Sequence, residues 1–312
     1  MDVQDTFRTL VRTEGSRLYR DFPWRQTCDP YAIWISEVML QQTQVSRVEA
    51  RWDAWMERFP DVRSLSDAPA ADVLEQWQGM GYNRRALNLG AAAREIVRTY
   101  GGEFPRSAAA LEALPGVGPA TAQGIRSFAF DLPGIYLETN VRAVFLHHLF
   151  PGVEGVTDRE LAPLVEAACP AGACVCGGGD EAVEASDHGR YGPYAEPQDE
   201  GDTPRNWYYA LLDYGAQLKR TVGNPSRRSR GYARQSAFEG SRRQKRAEVV
   251  RILLAEHESD TGSSLDEVTA TLNRLEREAG RDAVDAGTVA SILGDLAREG
   301  FCCEDGGRWR IR

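Results

Sequence analysis

The chain has almost no lysine: Lys219 and Lys245 stand among 37 basic residues, and the others are arginines. No apolar run in the sequence approaches the length of roughly 20 residues that a membrane-spanning helix needs. Residues 1–5 lack the basic start of a signal peptide, so we expect a cytoplasmic protein. The net charge is −9; acid excess with little lysine is typical of a salt-adapted prokaryote, although a GC-rich genome also favours arginine.

Cysteine is scarce as well. The chain contains Cys28, Cys169, Cys174, Cys176, Cys302 and Cys303. In a cytoplasmic protein we expect these to be reduced thiols. A metal site formed by Cys169, Cys174 and Cys176 with His188 is an alternative. Their C-x4-C-x-C spacing is not a standard zinc pattern, so we predict no metal.

The length of 312 residues suggests two or three units. Helical periodicity in residues 1–20 and 31–150, with no convincing strand, predicts an all-α protein. Residues 169–205 are glycine-rich and then acidic, without apolar periodicity, which predicts a disordered insertion. Helix is expected again from Trp207 to Leu218.

Two further segments follow the insertion. Residues 219–246 contain ten bases and one acid, which indicates either a phosphate-binding segment or a solvated linker. Residues 247–312 read as three helices and a β-hairpin around an Asp-Gly-Gly turn, a winged-helix pattern. We therefore divide the chain into a helical domain (1–220, with the insertion 169–205), a basic segment (221–246) and a winged-helix-like domain (247–312).

A glycine hairpin lies between two helical runs, at Leu114–Ala122. We expect Gly116 and Gly118 to adopt conformations closed to other residues and to let a phosphate approach the backbone, and Pro119 is favoured at the first position of the next helix. The exposed N–H groups of that helix would complete a sequence-independent phosphate clamp. The alternative is an ordinary connection between two helices.

Two acids have the pattern of paired catalytic carboxylates. Glu37 should share a helix face with Ile33, Leu40, Gln41 and Gln44, where desolvation would raise its pKa and let it act as an acid. Glu138 follows the hairpin by one helix and stands at the head of another. Taken alone, Glu37 could be an edge residue paired with arginine, and Glu138 a helix cap.

Together, five segments make this chain resemble the MutY family of adenine-specific DNA glycosylases, within the helix-hairpin-helix superfamily that includes endonuclease III. They are Trp24-Arg25, Ser36–Val45, Gly79–Leu89, Gly102–Pro105 and Leu114–Ala122. The resemblance covers residues 20–150 and, more loosely, 207–217. It implies two helical subdomains and double-stranded DNA with a mismatched or damaged base pair as the partner of a monomeric enzyme.

The resemblance also implies roles for individual residues. Glu37 would protonate the flipped adenine, the acid at 138 would stabilise the oxocarbenium-like sugar, and Asn140 would orient the acid. The residues expected to contact DNA are Gln41, Gln42, Tyr82 as a wedge, Arg84, Gly116, Gly118, Arg227, Arg228 and Arg230.

The chain departs from the family in four ways. The family has aspartate where Glu138 stands. The lysine of the lyase branch is replaced by Ala120, and because both lysines lie far along the chain we predict a monofunctional glycosylase. The basic segment replaces the iron–sulfur cysteines, so we predict no cluster and no cofactor, with a monovalent cation at the hairpin as an option. A winged-helix-like domain replaces the domain that reads 8-oxoguanine.

These departures keep alternatives open. Adenine opposite 8-oxoguanine or guanine is the leading substrate, since a purine leaving group benefits from protonation by Glu37. A glycosylase for thymine or uracil opposite guanine, and a non-catalytic DNA-binding protein, are the other hypotheses.

Overall fold

A computed structural model of the chain describes residues 3–171, 202–233, 237–257 and 262–312. Most of the predicted insertion, including Cys174, Cys176 and His188, lies outside these residues. In the part that is described, no helix is both long and apolar enough to cross a membrane.

The described residues form fourteen α-helices and three short strands. The helices are α1 (Val3–Leu18), α2 (Pro30–Leu40), α3 (Val45–Arg58), α4 (Val62–Asp67), α5 (Ala70–Gln76), α6 (Arg84–Tyr100), α7 (Ala108–Glu112), α8 (Pro119–Phe130), α9 (Thr139–Leu149), α10 (Asp158–Ala168), α11 (Pro204–Thr221), α12 (Arg242–Ala255), α13 (Leu265–Glu278) and α14 (Ala286–Arg298). The strands are β1 (Ser263–Ser264), β2 (Cys302–Asp305) and β3 (Arg308–Ile311). The mostly helical class predicted from the sequence is confirmed.

The chain folds into two compact units. The first consists of Met1–Val38, Phe104–Ala113 and Val117–Arg234, and the second of Met39–Glu103, Leu114–Gly116 and Gln235–Arg312. The domain limits expected from the sequence remain a prediction.

The first unit is built around α9 and α11, which pack on each other and on α1. Apolar positions at helical spacing put Phe7, Phe145 and Trp207 in its core, where the rings of Phe7 and Phe145 meet edge to face at 5.1 Å. A buried ion pair joins Arg25, before α2, to Asp213 of α11, with two hydrogen bonds of 2.7 and 2.9 Å. This core fixes the helices that carry both candidate acids.

The second unit contains α3–α6 and the predicted winged-helix-like module. In that module α12–α14 bury an apolar stripe that includes Leu253, Leu272 and Ile292. The strands form an antiparallel sheet in the order β1-β3-β2, with Cys302 opposite Ile311 and Asp305 opposite Arg308. Three helices and a hairpin therefore form as predicted, and β1 adds a short third strand.

One helix prediction is wrong. We expected Gln41 and Gln44 on the same helix face as Glu37, but α2 ends at Leu40 and Gln44 caps α3. The chain turns at Gln42, whose φ is +52°. It turns there because the carbonyl oxygens of Met39 and Gln41 accept hydrogen bonds from Arg85 of α6, which is described below.

Candidate active site

Glu37 lies on α2, an almost wholly apolar helix. Its Oε2 accepts a hydrogen bond of 2.9 Å from the hydroxyl of Tyr136, whose side chain is buried. Burial raises the pKa of Glu37 to about 8; the Tyr136 hydrogen bond opposes that shift and the charge of Glu138 adds to it. Glu37 therefore keeps its proton at neutral pH, as the sequence predicted, and its hydrogen bond comes from a tyrosine rather than an arginine.

Gly124, which sequence reasoning missed, makes room for this carboxyl group. A Cβ at position 124 would collide with Oε2 of Glu37 and lie 3.1 Å from the ring of Tyr136. The glycine stands inside α8, where it weakens the helix by about 1 kcal/mol relative to alanine. A glycine in a helix interior usually has a packing reason, and that signal was present in the sequence.

Glu138 caps α9. Its Oε1 accepts hydrogen bonds from the backbone N–H groups of Asn140 (2.6 Å) and Val141 (3.1 Å), while Oε2 takes no part in the cap. Burial raises the pKa of Glu138, and the N–H donors of the helix terminus lower it. The helix cap, one of the two interpretations from the sequence, is thus present; the role of Glu138 as a reactive acid stays a prediction.

Asn140 lies beside this acid. Its Oδ1 is buried and has no hydrogen-bond partner among the residues that the structure describes. The backbone of Asn140 is contacted by α11 at Gly215, where a Cβ would lie within 2.8 Å of the Asn140 Cα. Gly215 therefore allows α11 to approach the start of α9 closely.

Lys219 stands on α11, one helical turn after Gly215. Its charge lowers the pKa of Glu138, and burial lowers the pKa of Lys219 itself while Glu138 acts to raise it. Lys219 therefore lies close enough to Glu138 for their charges to interact, although the two residues are far apart along the chain. Distance along the chain did not indicate distance in the fold, because α11 returns to pack on α9.

The two hairpin glycines differ in conformation. Gly116 has φ +75°, and a Cβ there would lie 2.6 Å from Nδ2 of Asn88. Gly118 has φ −94°, which any residue can adopt, so our expectation of a special conformation is wrong at this position. Gly118 is nevertheless exposed with open space around it, and Pro119 opens α8 as predicted. An approaching phosphate would meet no side chain here.

In the second unit the backbone adopts an unusual conformation at both Gln42 and Tyr82. Their φ angles are +52° and +48°, a left-handed conformation that costs a non-glycine residue about 1 kcal/mol or more. Such strain persists only where the surroundings hold it and is found at functional sites. Gln41 and Arg84 adjoin these two residues, so the structure brings together four predicted DNA contacts.

Arg85, which the sequence analysis overlooked, holds this backbone. The residue is 9% exposed, and its guanidinium donates to five oxygen atoms within 3.1 Å. These are the carbonyl oxygens of Met39, Gln41, Met80 and Gly81 and the hydroxyl of Thr43. Burial lowers the pKa of Arg85 to about 10, and Tyr82 acts against that shift. One side chain thus ties the turn at Gln42 to the turn at Tyr82.

The arginines of the basic segment separate into two groups. Arg227 and Arg230 are exposed. Arg228 is half-buried, and its guanidinium donates to the carbonyl oxygens of Leu146 (2.6 Å) and Phe150 (2.5 Å) at the end of α9. Arg228 therefore stabilises a helix terminus, a role that the dense basic sequence concealed.

Iron–sulfur ligands are not present in the chain where the family has them. No cysteine lies between Cys176 and Cys302, and thiolates are the ligands of such clusters. Within the ranges that the structure describes, no three His, Cys, Asp or Glu side chains are grouped to hold a metal ion. The residues at this place therefore do not fit a cluster.

Comparison with known proteins agrees with this geometry. Residues 35–167 match the model of the HhH-GPD superfamily of base excision DNA repair proteins. The chain is 40% identical over 129 residues to an adenine DNA glycosylase of Buchnera aphidicola, covering 41% of this chain and 37% of the relative. It is 43% identical over 126 residues to the adenine DNA glycosylase of Mycolicibacterium smegmatis, covering 40% and 43%.

The human adenine DNA glycosylase is 40% identical over 134 residues, which cover 40% of this chain and 24% of that protein. The chain thus spans less than half the length of each of these relatives. A solved structure of a thermostable thymine-DNA glycosylase superposes with a TM-score of 0.52 at 23% identity, covering 69% of this chain and 88% of the other, which shows the fold. Residues 35–167 of this chain are thus similar to the HhH-GPD superfamily of base excision DNA repair proteins.

Proposed function

We propose that the protein is a monofunctional DNA glycosylase that hydrolyses the N-glycosidic bond of adenine mispaired with 8-oxoguanine or guanine in double-stranded DNA. The observation that carries the proposal is a pair of acids in the first unit with different partners: Glu37 is bonded to the hydroxyl of Tyr136, and Glu138 to the backbone N–H groups of Asn140 and Val141. Glu37, with a pKa of about 8, can donate a proton at neutral pH. Burial raises the pKa of Glu138, while two backbone N–H groups and the charge of Lys219 act against that shift.

These two acids support a hydrolytic mechanism. The glycosidic bond breaks with its electron pair on adenine, and Glu37 donates a proton to a ring nitrogen of the base. The free Oε2 of Glu138 stabilises the positive charge that develops on the sugar. Water then adds to the anomeric carbon, and the Glu37 carboxylate accepts its proton, which returns the enzyme to its starting state. Asn140 keeps Glu138 in position through its backbone N–H.

Binding of DNA is assigned to separate elements. Gly116, Gly118 and the first turn of α8 would hold the backbone near the lesion, and the exposed Arg227 and Arg230 would bind phosphates further along. Tyr82 and Gln42 would enter the duplex where the adenine leaves. We propose that this binding needs no iron–sulfur cluster and that the protein acts as a monomer.

A panel of mismatched duplexes tests the function. We expect strand breaks, after alkaline treatment, only at adenine placed opposite 8-oxoguanine or guanine. Single-turnover rates on labelled duplexes measure this. Cleavage at thymine or uracil opposite guanine would instead support a glycosylase for another base, and binding without any cleavage would support a non-catalytic DNA-binding protein.

Borohydride trapping tests the monofunctional mechanism. We expect no covalent protein–DNA adduct, because the lysine of the lyase branch is absent and Lys219 is engaged by the charge of Glu138. Lys219→Met and Lys245→Met are matched variants, since the chain has no other lysine. An adduct that forms with the native protein and Lys245→Met, but not with Lys219→Met, would show that Lys219 acts as a nucleophile.

A further inference from the structure

Tyr136 lies two residues before Glu138, in the segment that joins α8 to α9. The residue is 6% exposed, and its hydroxyl donates a hydrogen bond of 2.9 Å to Oε2 of Glu37. The function proposed above gives this tyrosine no part in the reaction. The contact nevertheless connects the two candidate acids, because the segment that ends in the cap at Glu138 also supplies the partner of Glu37.

The core of the first unit fixes the position of Tyr136. Its ring meets the rings of Phe128 on α8 and Tyr208 on α11 edge to face, with centroids 5.2 and 5.3 Å apart. Its backbone N–H donates to the hydroxyl of Tyr208 at 3.2 Å, and that hydroxyl donates to the carbonyl oxygen of Gly134. A side chain held on both its ring and its backbone can keep a neighbouring group within the narrow limits that proton transfer requires.

The Tyr136 hydroxyl determines which oxygen of Glu37 carries the proton. Among the described residues this hydroxyl has no acceptor other than Oε2 of Glu37. A buried hydroxyl is costly to leave without an acceptor, so its single hydrogen points at Oε2. Oε2 then uses a lone pair in this bond, and the proton of the neutral carboxyl group is on Oε1.

The surroundings of Glu37 leave Oε1 as the oxygen that a base can approach. Residues 31–36 and 38–39 of α2 are buried, whereas Glu37 is half-buried. Oε2 is covered by the hydroxyl of Tyr136 and by the backbone at Gly124, where even a Cβ would collide with it. The open side of the carboxyl group is therefore the side that carries the proton.

We infer that Tyr136 is a positioning residue for the acid: its hydroxyl occupies Oε2 of Glu37 and so presents the proton on Oε1 to the leaving base. The inference rests on the proposed glycosylase function. As the glycosidic bond breaks, its electron pair moves to the base and the Oε1 proton passes to a ring nitrogen. The carboxylate that remains keeps the hydrogen bond from Tyr136, which strengthens because its acceptor is now charged.

The effect of this hydroxyl can be separated from that of the other titratable groups around Glu37. Burial raises the pKa of Glu37, the Tyr136 hydrogen bond acts against that shift, and the charge of Glu138 adds to it. Burial also raises the pKa of Tyr209 on α11 to about 12, with the charge of Glu37 adding to the shift, and raises that of Tyr136 well above its usual value. Both phenols therefore stay neutral around pH 8, where Glu37 titrates.

Tyr136→Phe keeps the ring and removes only the hydroxyl. We expect single-turnover excision of adenine opposite 8-oxoguanine to fall about tenfold to a hundredfold at neutral pH, because the acid is no longer held in place. The alkaline decline of the rate should move to higher pH, because Glu37 loses a bond that favours its carboxylate. Tyr214→Phe, which removes a hydroxyl bonded to His148 at 2.7 Å in the same unit, is the control and should keep the native rate and pH profile.

Tyr136→3-fluorotyrosine is a second variant in case the phenylalanine variant fails to fold. It keeps the ring and the hydroxyl, and fluorine makes the phenol a stronger donor, so the alkaline decline should move to lower pH. A loss of packing would not shift the two variants in opposite directions. A native pH profile in either folded variant, or a native excision rate in Tyr136→Phe, would overturn the inference.

A measurement that needs no activity separates this inference from the proposed function. Carbon-13 NMR of protein labelled at the δ-carbon of glutamate follows the titration of Glu37, whose signal is assigned by its loss in Glu37→Gln. If the native protein removes no adenine, the glycosylase assignment fails, while the titration of Glu37 in Tyr136→Phe still tests the contact. If adenine is removed but Glu37 titrates alike in both proteins, only the role of Tyr136 fails.

Discussion

Glu37→Gln should lower the rate of adenine excision by about 10² to 10⁴-fold, the usual contribution of a general acid. Glutamine has the shape of glutamic acid and can still accept the hydrogen bond from Tyr136, but it has no acidic proton to donate to the base. Single-turnover excision of adenine opposite 8-oxoguanine measures the effect. Glu57→Gln, at an exposed glutamate of α3, is the matched control and should keep the native rate.

The dependence of excision on pH follows from the carboxyl group of Glu37. Because burial raises the pKa of Glu37 to about 8, the proton is lost, and excision should decline, as pH rises through about 8. A raised carboxyl pKa also means that the folded state binds a proton that the unfolded state releases, so this group's contribution to stability falls as pH rises from the ordinary glutamate pKa towards 8. Glu37→Gln should therefore lose less stability than the native protein over that interval.

The excision rate and thermal unfolding of Glu37→Gln, measured together, separate an effect on catalysis from an effect on folding. Thermal unfolding followed by circular dichroism should show a folded Glu37→Gln variant with a flatter dependence of Tm on pH. An excision rate within a few-fold of native, in a folded variant, would remove Glu37 from the mechanism.

Arg85→Ala should destabilise the second unit by about 3 kcal/mol or more and reduce excision strongly. The guanidinium donates to four carbonyl oxygens in buried or half-buried positions, and hydrogen bonds from a charged donor contribute about 1.5–3 kcal/mol each. Its loss would release the left-handed backbone at Gln42 and Tyr82. Arg85→Lys should not restore the function, because an ammonium cannot reproduce the planar fork of donors.

Arg94→Ala is the control for Arg85, since Arg94 is an exposed arginine of the same helix. Denaturant unfolding and single-turnover excision should be measured together, below the midpoint of unfolding. If Arg85→Ala were destabilised but excised adenine at the native rate while folded, the two turns would not need their strained backbone for activity.

Several features of the site could be predicted from local sequence. The desolvation of Glu37 follows from Ile33 and Leu40 on either side of it, and the cap at Glu138 from its place before a helical run. Pro119 at the start of α8 and the turn at the C-terminal hairpin follow from their backbone preferences alone. These features depend on residues within one or two helical turns.

The remaining features depend on contacts between distant segments. The end of α2 at Leu40 is set by hydrogen bonds from Arg85, and the position of Lys219 by the packing of α11 on α9. Arg228 and Arg230 are neighbours in one basic run, yet one holds a helix terminus and the other is exposed. Composition and periodicity carry no information about contacts between distant segments, so sequence reasoning missed these features.

The cap at Glu138 also has an evolutionary consequence. One oxygen of the carboxylate completes the first turn of α9, so an alanine at this position would lose about 1 kcal/mol of helix stability along with the acid. A descendant that abandoned the reaction would still be selected to keep Asp, Asn, Ser or Thr at position 138 for the sake of the fold. The presence of an acid here is therefore a poor marker of retained activity across relatives, and Glu37, which caps no helix, is the better one.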